Sequence, residues 1–267
     1  MKKRTKLQLS LLLMLSAAVT GCSIEDNNPV DPIDPYDSEE GGVYNPNAGS
    51  APEGVVAVDL DLPSGTLWAN MNVGATSPED YGLYFAWGET TGYTDYATDG
   101  RSFDWASYKW MNEGQSNWRQ VNKYQIDDWQ TEGCWYDSDG NFIGDGKDVL
   151  DLEDDAAYAI LGGDWRMPTY SEVNELLNYT TEEWKTVNGV KGRRFTSVTN
   201  GNSIFLPAAG YRSDKYLNDQ GTDGYYWLTS LYNDGNLAYE FYFSSGSTKR
   251  SYMDRRVGLT VRPVLRE

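Results

Sequence analysis

The sequence predicts an α+β domain, rich in hairpins and loops, with two short helices flanking a mostly antiparallel sheet. Three observations carry this expectation. Asn188-Gly189 and Asn200-Gly201 each separate two extended runs, the pattern of a hairpin whose turn needs positive φ. Helix signals are few: Thr169-Tyr170-Ser171-Glu172 is a capping box ahead of Val173, Leu176 and Leu177. The carboxyl third reads as strands over 225–232, 238–245 and 256–262.

The elements follow in chain order. Residues 1–21 join a basic start (Lys2, Lys3, Arg4, Lys6) to an apolar run over 7–19, shorter than a membrane span. The run closes on Val19-Thr20-Gly21-Cys22, which resembles the lipobox of bacterial lipoproteins. That resemblance implies a signal peptide over 1–21 and an acyl anchor on Cys22. Ser23 resembles outer-membrane sorting and Glu25-Asp26 a surface-export signal, implying a lipid-anchored protein of the bacterial outer membrane that faces outward. Residues 22–54 hold eight acids, no base and five prolines, the composition of an extended acidic tether.

Residues 55–267 form the folding unit, with no fixed internal period. Ser77-Pro78-Glu79-Asp80 predicts a single helical turn. Asp151 is placed to cap a helix that stops at Gly162-Gly163. Asp99-Gly100, Asp139-Gly140, Asp145-Gly146, Asp223-Gly224 and Asp234-Gly235 predict tight turns. The stretch 92–149 has many rings and weak periodicity, which gives it no predicted fold.

Composition narrows the chemistry. The 267 residues include no histidine, which removes Ser-His-Asp, Cys-His and HExxH arrangements. Two cysteines cannot build a Cys-rich zinc site, and Cys134 is expected to be a small buried apolar residue. With 40 acidic side chains against 22 basic ones, binding to nucleic acid is not expected. Asp137-Ser138-Asp139-Gly140-Asn141 has its glycine fourth rather than sixth, so it reads as a hairpin turn in preference to a calcium loop. Glu89, beside Trp87, is the acid to inspect for a carboxylate-based glycan hydrolase, set against a surface or capping role. The rings of 84–110 read first as core packing and second as a ligand platform. No catalytic residue, metal site or cofactor is predicted.

Residues 232–255 are rich in Tyr, Ser, Asn and Arg, the vocabulary of adaptable binding surfaces. The candidate ligand-binding residues are Tyr232, Asn233, Asp234, Asn236, Tyr239, Tyr242, Arg250, Tyr252, Asp254 and Arg255.

A series of short motifs then occurs in order: Val58-Asp59-Leu60-Asp61-Leu62-Pro63-Ser64-Gly65, Asn72-Val73-Gly74-Ala75-Thr76, Tyr84-Phe85-Ala86-Trp87-Gly88-Glu89-Thr90, Gly163-Asp164-Trp165-Arg166-Met167-Pro168-Thr169, Ile204-Phe205-Leu206-Pro207-Ala208-Ala209-Gly210-Tyr211-Arg212 and Val261-Arg262-Pro263-Val264. The series resembles the Fibrobacter succinogenes major paralogous domain over nearly all of 56–264. The resemblance implies a single C-type lectin-like domain on a surface lipoprotein, with ligand contacts just before the final strand. Asp61 stands where that family usually has Gly, and the Glu-Pro-Asn and Trp-Asn-Asp calcium motifs of sugar-binding lectins are absent. The expectation is a non-catalytic module recognising an extracellular glycan or protein. A glycan hydrolase or a structural component of a fimbria-like assembly is the alternative.

Overall fold

A computed structural model describes residues 54–127 and 135–266. The signal peptide, the Cys22 anchor, nearly all of the tether and Cys134 lie outside the described residues.

Every pairing between the named strands is antiparallel, and the helices are short. A small sheet places β2 (Thr66–Ala69) between β1 (Ala57–Val58) and β11 (Val264–Arg266). The hairpin β3 (Thr180–Val187) and β4 (Val190–Ser197) turns on Asn188 and Gly189, both at positive φ, and β4 continues into β5 (Ser203–Pro207). β6 (Tyr211–Ser213) and β7 (Tyr216–Asn218) make a short hairpin. The third sheet runs β8 (Asp223–Leu231), β9 (Leu237–Ser244), β10 (Thr248–Asp254).

Helix α1 (Tyr96–Asp99) is one turn, closed by Gly100 at φ 68°. Helix α2 covers Ala156–Leu161 and α3 covers Tyr170–Tyr179. The capping box of α3 forms as the sequence predicts: Thr169 Oγ1 accepts from the Glu172 amide, and the Glu172 carboxylate accepts from the Thr169 amide.

Strand alternation builds the core on both faces of the third sheet. Tyr226, Leu228, Phe241 and Phe243 join Val173 and Leu176 of α3, Phe195, Ile204 and Leu206 in one cluster. Trp227, Leu231 and Ala238 face the other way, toward Phe85, Trp87, Tyr124, Ala156 and Ala157. Two fully buried indoles cross between strand and loop: Trp87 Nε1 donates to the Leu228 carbonyl, and Trp227 Nε1 donates to that of Phe85.

Several expectations are corrected. The helix predicted from Asp151 is broken into a 3-10 turn (Leu152–Asp154) and α2. Asp151 is drawn off by Lys123 and Lys147, and Asp155 caps α2 by accepting from the Ala157 and Tyr158 amides. Residues 77–80 form a turn closed by Asp80 N to Ser77 O, without a helix.

Asp223-Gly224 is not a turn but the start of β8. The turn lies at Asp219 (φ 57°) and Gly221 (φ 80°). Gly224 is needed because a Cβ there would sit 2.2 Å from the Phe243 ring. Residues 256–262 form no continuous strand, since Gly258, Leu259 and Thr260 bridge to Arg212, Phe85 and Tyr226 in turn. The missing strand is β10, whose polar residues escape a hydrophobic reading because this edge buries neither face.

Candidate ligand-binding surface

The period of two divides the ten candidate residues. Odd positions of β9 and even positions of β10 face α3, bringing Tyr239, Arg250 and Tyr252 together with Tyr232 at the end of β8. The Tyr232 and Tyr252 rings stack with centroids 4.1 Å apart, and Tyr239 meets Tyr232 edge-on at 5.3 Å. α3 adds two residues. Tyr170 packs edge-on against Tyr239 at 5.0 Å, and Asn174 Oδ1 accepts from Arg250, whose guanidinium lies 4.9 Å from the Tyr170 centroid. Each ring pair adds about 0.5–1.5 kcal/mol beyond burial, so the cluster is preorganised without a ligand. Tyr252 is 47 % exposed at its rim. Desolvation raises the Tyr239 phenol above its ordinary pKa, with Tyr170 and Tyr232 adding to it.

The other candidates are dispersed. Asn233 is exposed, whereas Asp234 is buried in the β8–β9 turn, where its carbonyl accepts from Leu237. Asn236 donates to Asp254, which also meets Arg256 at 3.5 Å, closing the neck of that turn. Tyr242 faces away from α3, donating to Asp223.

Arg255 corrects the expected surface: it is fully buried, with its guanidinium donating to the carbonyls of Tyr124 (2.8 Å) and Lys123 (3.3 Å). Its burial depresses its pKa, countered by Tyr108, Asp145 and Tyr124. A charged side chain sitting among loop carbonyls satisfies backbone acceptors and holds that loop; it presents nothing to a ligand. Sequence reasoning missed Tyr170 and Asn174 because they lie some 60 positions upstream, inside an ordinary capped helix.

Glu89 is not a surface acid. It is buried, both oxygens accept from Arg101 at 2.9 Å, and Oε1 also accepts from the Lys109 amide. Burial raises its pKa above the ordinary value while Arg101 pulls it down. Of the rings in 84–110, Tyr84, Phe85, Trp87, Phe103 and Tyr108 are core, whereas Tyr96 is exposed and Tyr93, Trp105 and Trp110 are half-buried. Asp139-Gly140 turns a hairpin bridged at Tyr136 and Phe142, with Asp137 Oδ1 accepting from the amides of Asp139 and Asn141.

A family model described as a domain of unknown function, DUF8237, matches residues 180–264, from β3 to the start of β11. No curated protein and no solved structure matches the chain.

Proposed function

We propose that this protein is a surface-anchored bacterial lipoprotein whose C-type lectin-like domain binds an extracellular glycan or protein without catalysis. The observation that carries the reading is the preassembled Tyr232–Tyr252 stack, open at Tyr252 and braced by Tyr239, Tyr170 and Arg250. Such rings supply contact area at small entropic cost, and the adjacent guanidinium and amide supply direction. The lipobox-like Val19-Thr20-Gly21-Cys22 and the acidic residues after it support the anchoring half of the proposal, as does the resemblance to the Fibrobacter succinogenes major paralogous domain.

The test is a glycan and surface-protein array probed with the full-length chain, with and without calcium, beside Tyr252→Ala and Arg250→Ala. Binding that falls at least tenfold in both variants while their unfolding midpoints stay put supports this surface; undiminished binding rejects it. A Cys22→Ala chain is expected to lose incorporation of labelled palmitate, and retained label would reject the anchor.

A further inference from the structure

The face of the third sheet turned away from α3 carries a separate cluster. Alternation places Tyr225 and Trp227 of β8, Glu240 and Tyr242 of β9, and Ser251 of β10 on that face. Tyr211 of β6 packs onto it. The Tyr211 and Tyr225 rings meet at 5.1 Å and 69°, those of Tyr225 and Tyr242 at 5.2 Å and 58°, and all three are half-buried. Two of the phenols are tied to acids, Tyr225 to Asp219 and Tyr242 to Asp223, each at 3.1 Å.

Glu240 differs from those acids. It is only 2 % exposed, its Oε2 has no hydrogen-bond partner, and it forms no ion pair among the described residues. Ser251, opposite it in the register, hydrogen-bonds the carboxyl, yet one buried oxygen left unmatched is costly and calls for a reason. The one basic group that acts on it is Lys249, an exposed side chain whose ammonium lies 5.0 Å from the Tyr242 centroid and makes no salt bridge with Glu240.

We propose that Tyr211, Tyr225 and Tyr242, with Glu240 beneath them, form a binding site for an alkylammonium group, the chemistry shared by a lysine side chain and a choline headgroup. Ring faces attract a cation through their quadrupoles, and a carboxyl in low dielectric adds a field that a neutral sugar hydroxyl cannot use. The chain's own Lys249 already rests an ammonium on one of these rings, and being exposed it can be displaced. The site lies on the opposite face from the Tyr232–Tyr252 stack and does not depend on it.

The titratable groups of this face are Tyr211 from β6, Asp219 from the turn before β8, Asp223 and Tyr225 from β8, Tyr242 from β9 and Lys249 from β10. Burial pushes the Glu240 carboxyl up to about 8, so the free site holds a proton at pH 7. An arriving ammonium sends that proton to solvent and pairs with the carboxylate left behind, so binding strengthens as pH rises toward 8.

The experiment is calorimetric titration of the full-length chain with choline, n-butylammonium and the uncharged choline isostere 3,3-dimethylbutan-1-ol. The cations are expected to bind at least tenfold more tightly than the isostere. Proton release, read from buffers of different ionisation enthalpy, is expected at pH 7 and absent at pH 9. Glu240→Gln and Tyr242→Leu should each weaken the cations about tenfold, Lys249→Ala should strengthen them, and Tyr252→Ala should leave them unchanged. Circular dichroism establishes that each variant is folded. Tighter choline points to a quaternary headgroup, and tighter butylammonium to lysine. An isostere that binds as well as choline, wild-type affinity in folded Glu240→Gln and Tyr242→Leu, or cation binding lost in Tyr252→Ala each overturns the assignment.

Discussion

Residues 180–264 and residues 92–150 lie in one domain but meet the same requirement, pairing buried backbone groups, by opposite means. In the first, backbone pairs with backbone: β3–β4–β5 and β8–β9–β10 are ladders closed by short turns. In the second, the described residues form no ladder, only single helical turns, loop hydrogen bonds and isolated bridges, such as Met111 to Val121 and Phe103 to Asp214. Side chains supply much of the remaining pairing. Arg255 donates to Tyr124 and Lys123, Arg256 to Phe103, and Arg212 to Arg101, all at main-chain carbonyls. Asp145 accepts from the Tyr124 and Gln125 amides, and Tyr108 donates to the Trp87 carbonyl. Arginine suits this work because its planar fork has five donors and no acceptor to satisfy in return. The few buried positions of this loop-rich segment are thus secured by donors that another part of the chain supplies.

The contrast can be tested by perturbing each region. Phe241→Ala, in the ladder half, should cost about 3–5 kcal/mol in urea unfolding and lower amide protection across both sheets together. Arg255→Met should cost about 3 kcal/mol, since carbonyls buried in the loop lose charged donors. Hydrogen exchange should show that loss first around residues 121–126, with β3–β5 unaffected; uniform loss would mean the two regions are not independently secured.

Glu240 predicts a pH slope. Its folded carboxyl titrates at about 8 and its unfolded one near the usual 4.5, so the folded state keeps a proton that the unfolded chain gives up. Its contribution to stability is therefore greatest below about pH 4.5, declines as pH rises to about 8, and is level beyond. Glu240→Gln should flatten that decline in midpoints measured from pH 5 to 8, and an unchanged slope would assign it to other groups. Gly189→Ala should cost about 1 kcal/mol through positive-φ strain alone, because a Cβ there meets nothing within 4 Å. The smallest effect belongs to Lys147→Ala, which removes an exposed i,i+4 pair with Asp151 worth under about 0.5 kcal/mol by thermal melt.

The same contrast explains what could be read in advance. Asn188-Gly189, Asn200-Gly201 and the Thr169–Glu172 box are local signals, and they formed where the residues placed them. The 92–149 stretch was illegible because its order comes from Arg212, Arg255 and Arg256, more than 100 positions away. Arg255 reads as a surface residue for that reason: composition puts an arginine beside tyrosines, but only the fold shows the carbonyls it faces. Within the candidate surface, composition found Tyr232, Tyr239, Arg250 and Tyr252. Alternation, given the register, would have separated Tyr242 from them, and that register depends on β10, a polar edge without hydrophobic periodicity.

The distance between the arginine clamps and their carbonyls also sets an order of events. Arg255 acts across 131 positions and Arg256 across 153. A chain made from its amino end completes the 92–150 segment long before either arginine exists. Until then, this stretch of tryptophans and tyrosines carries carbonyls that only water can satisfy. The hairpins of 180–264 can close as they emerge, because their partners are neighbours. The segment synthesised early therefore gains these clamps only when the end of the chain has joined it.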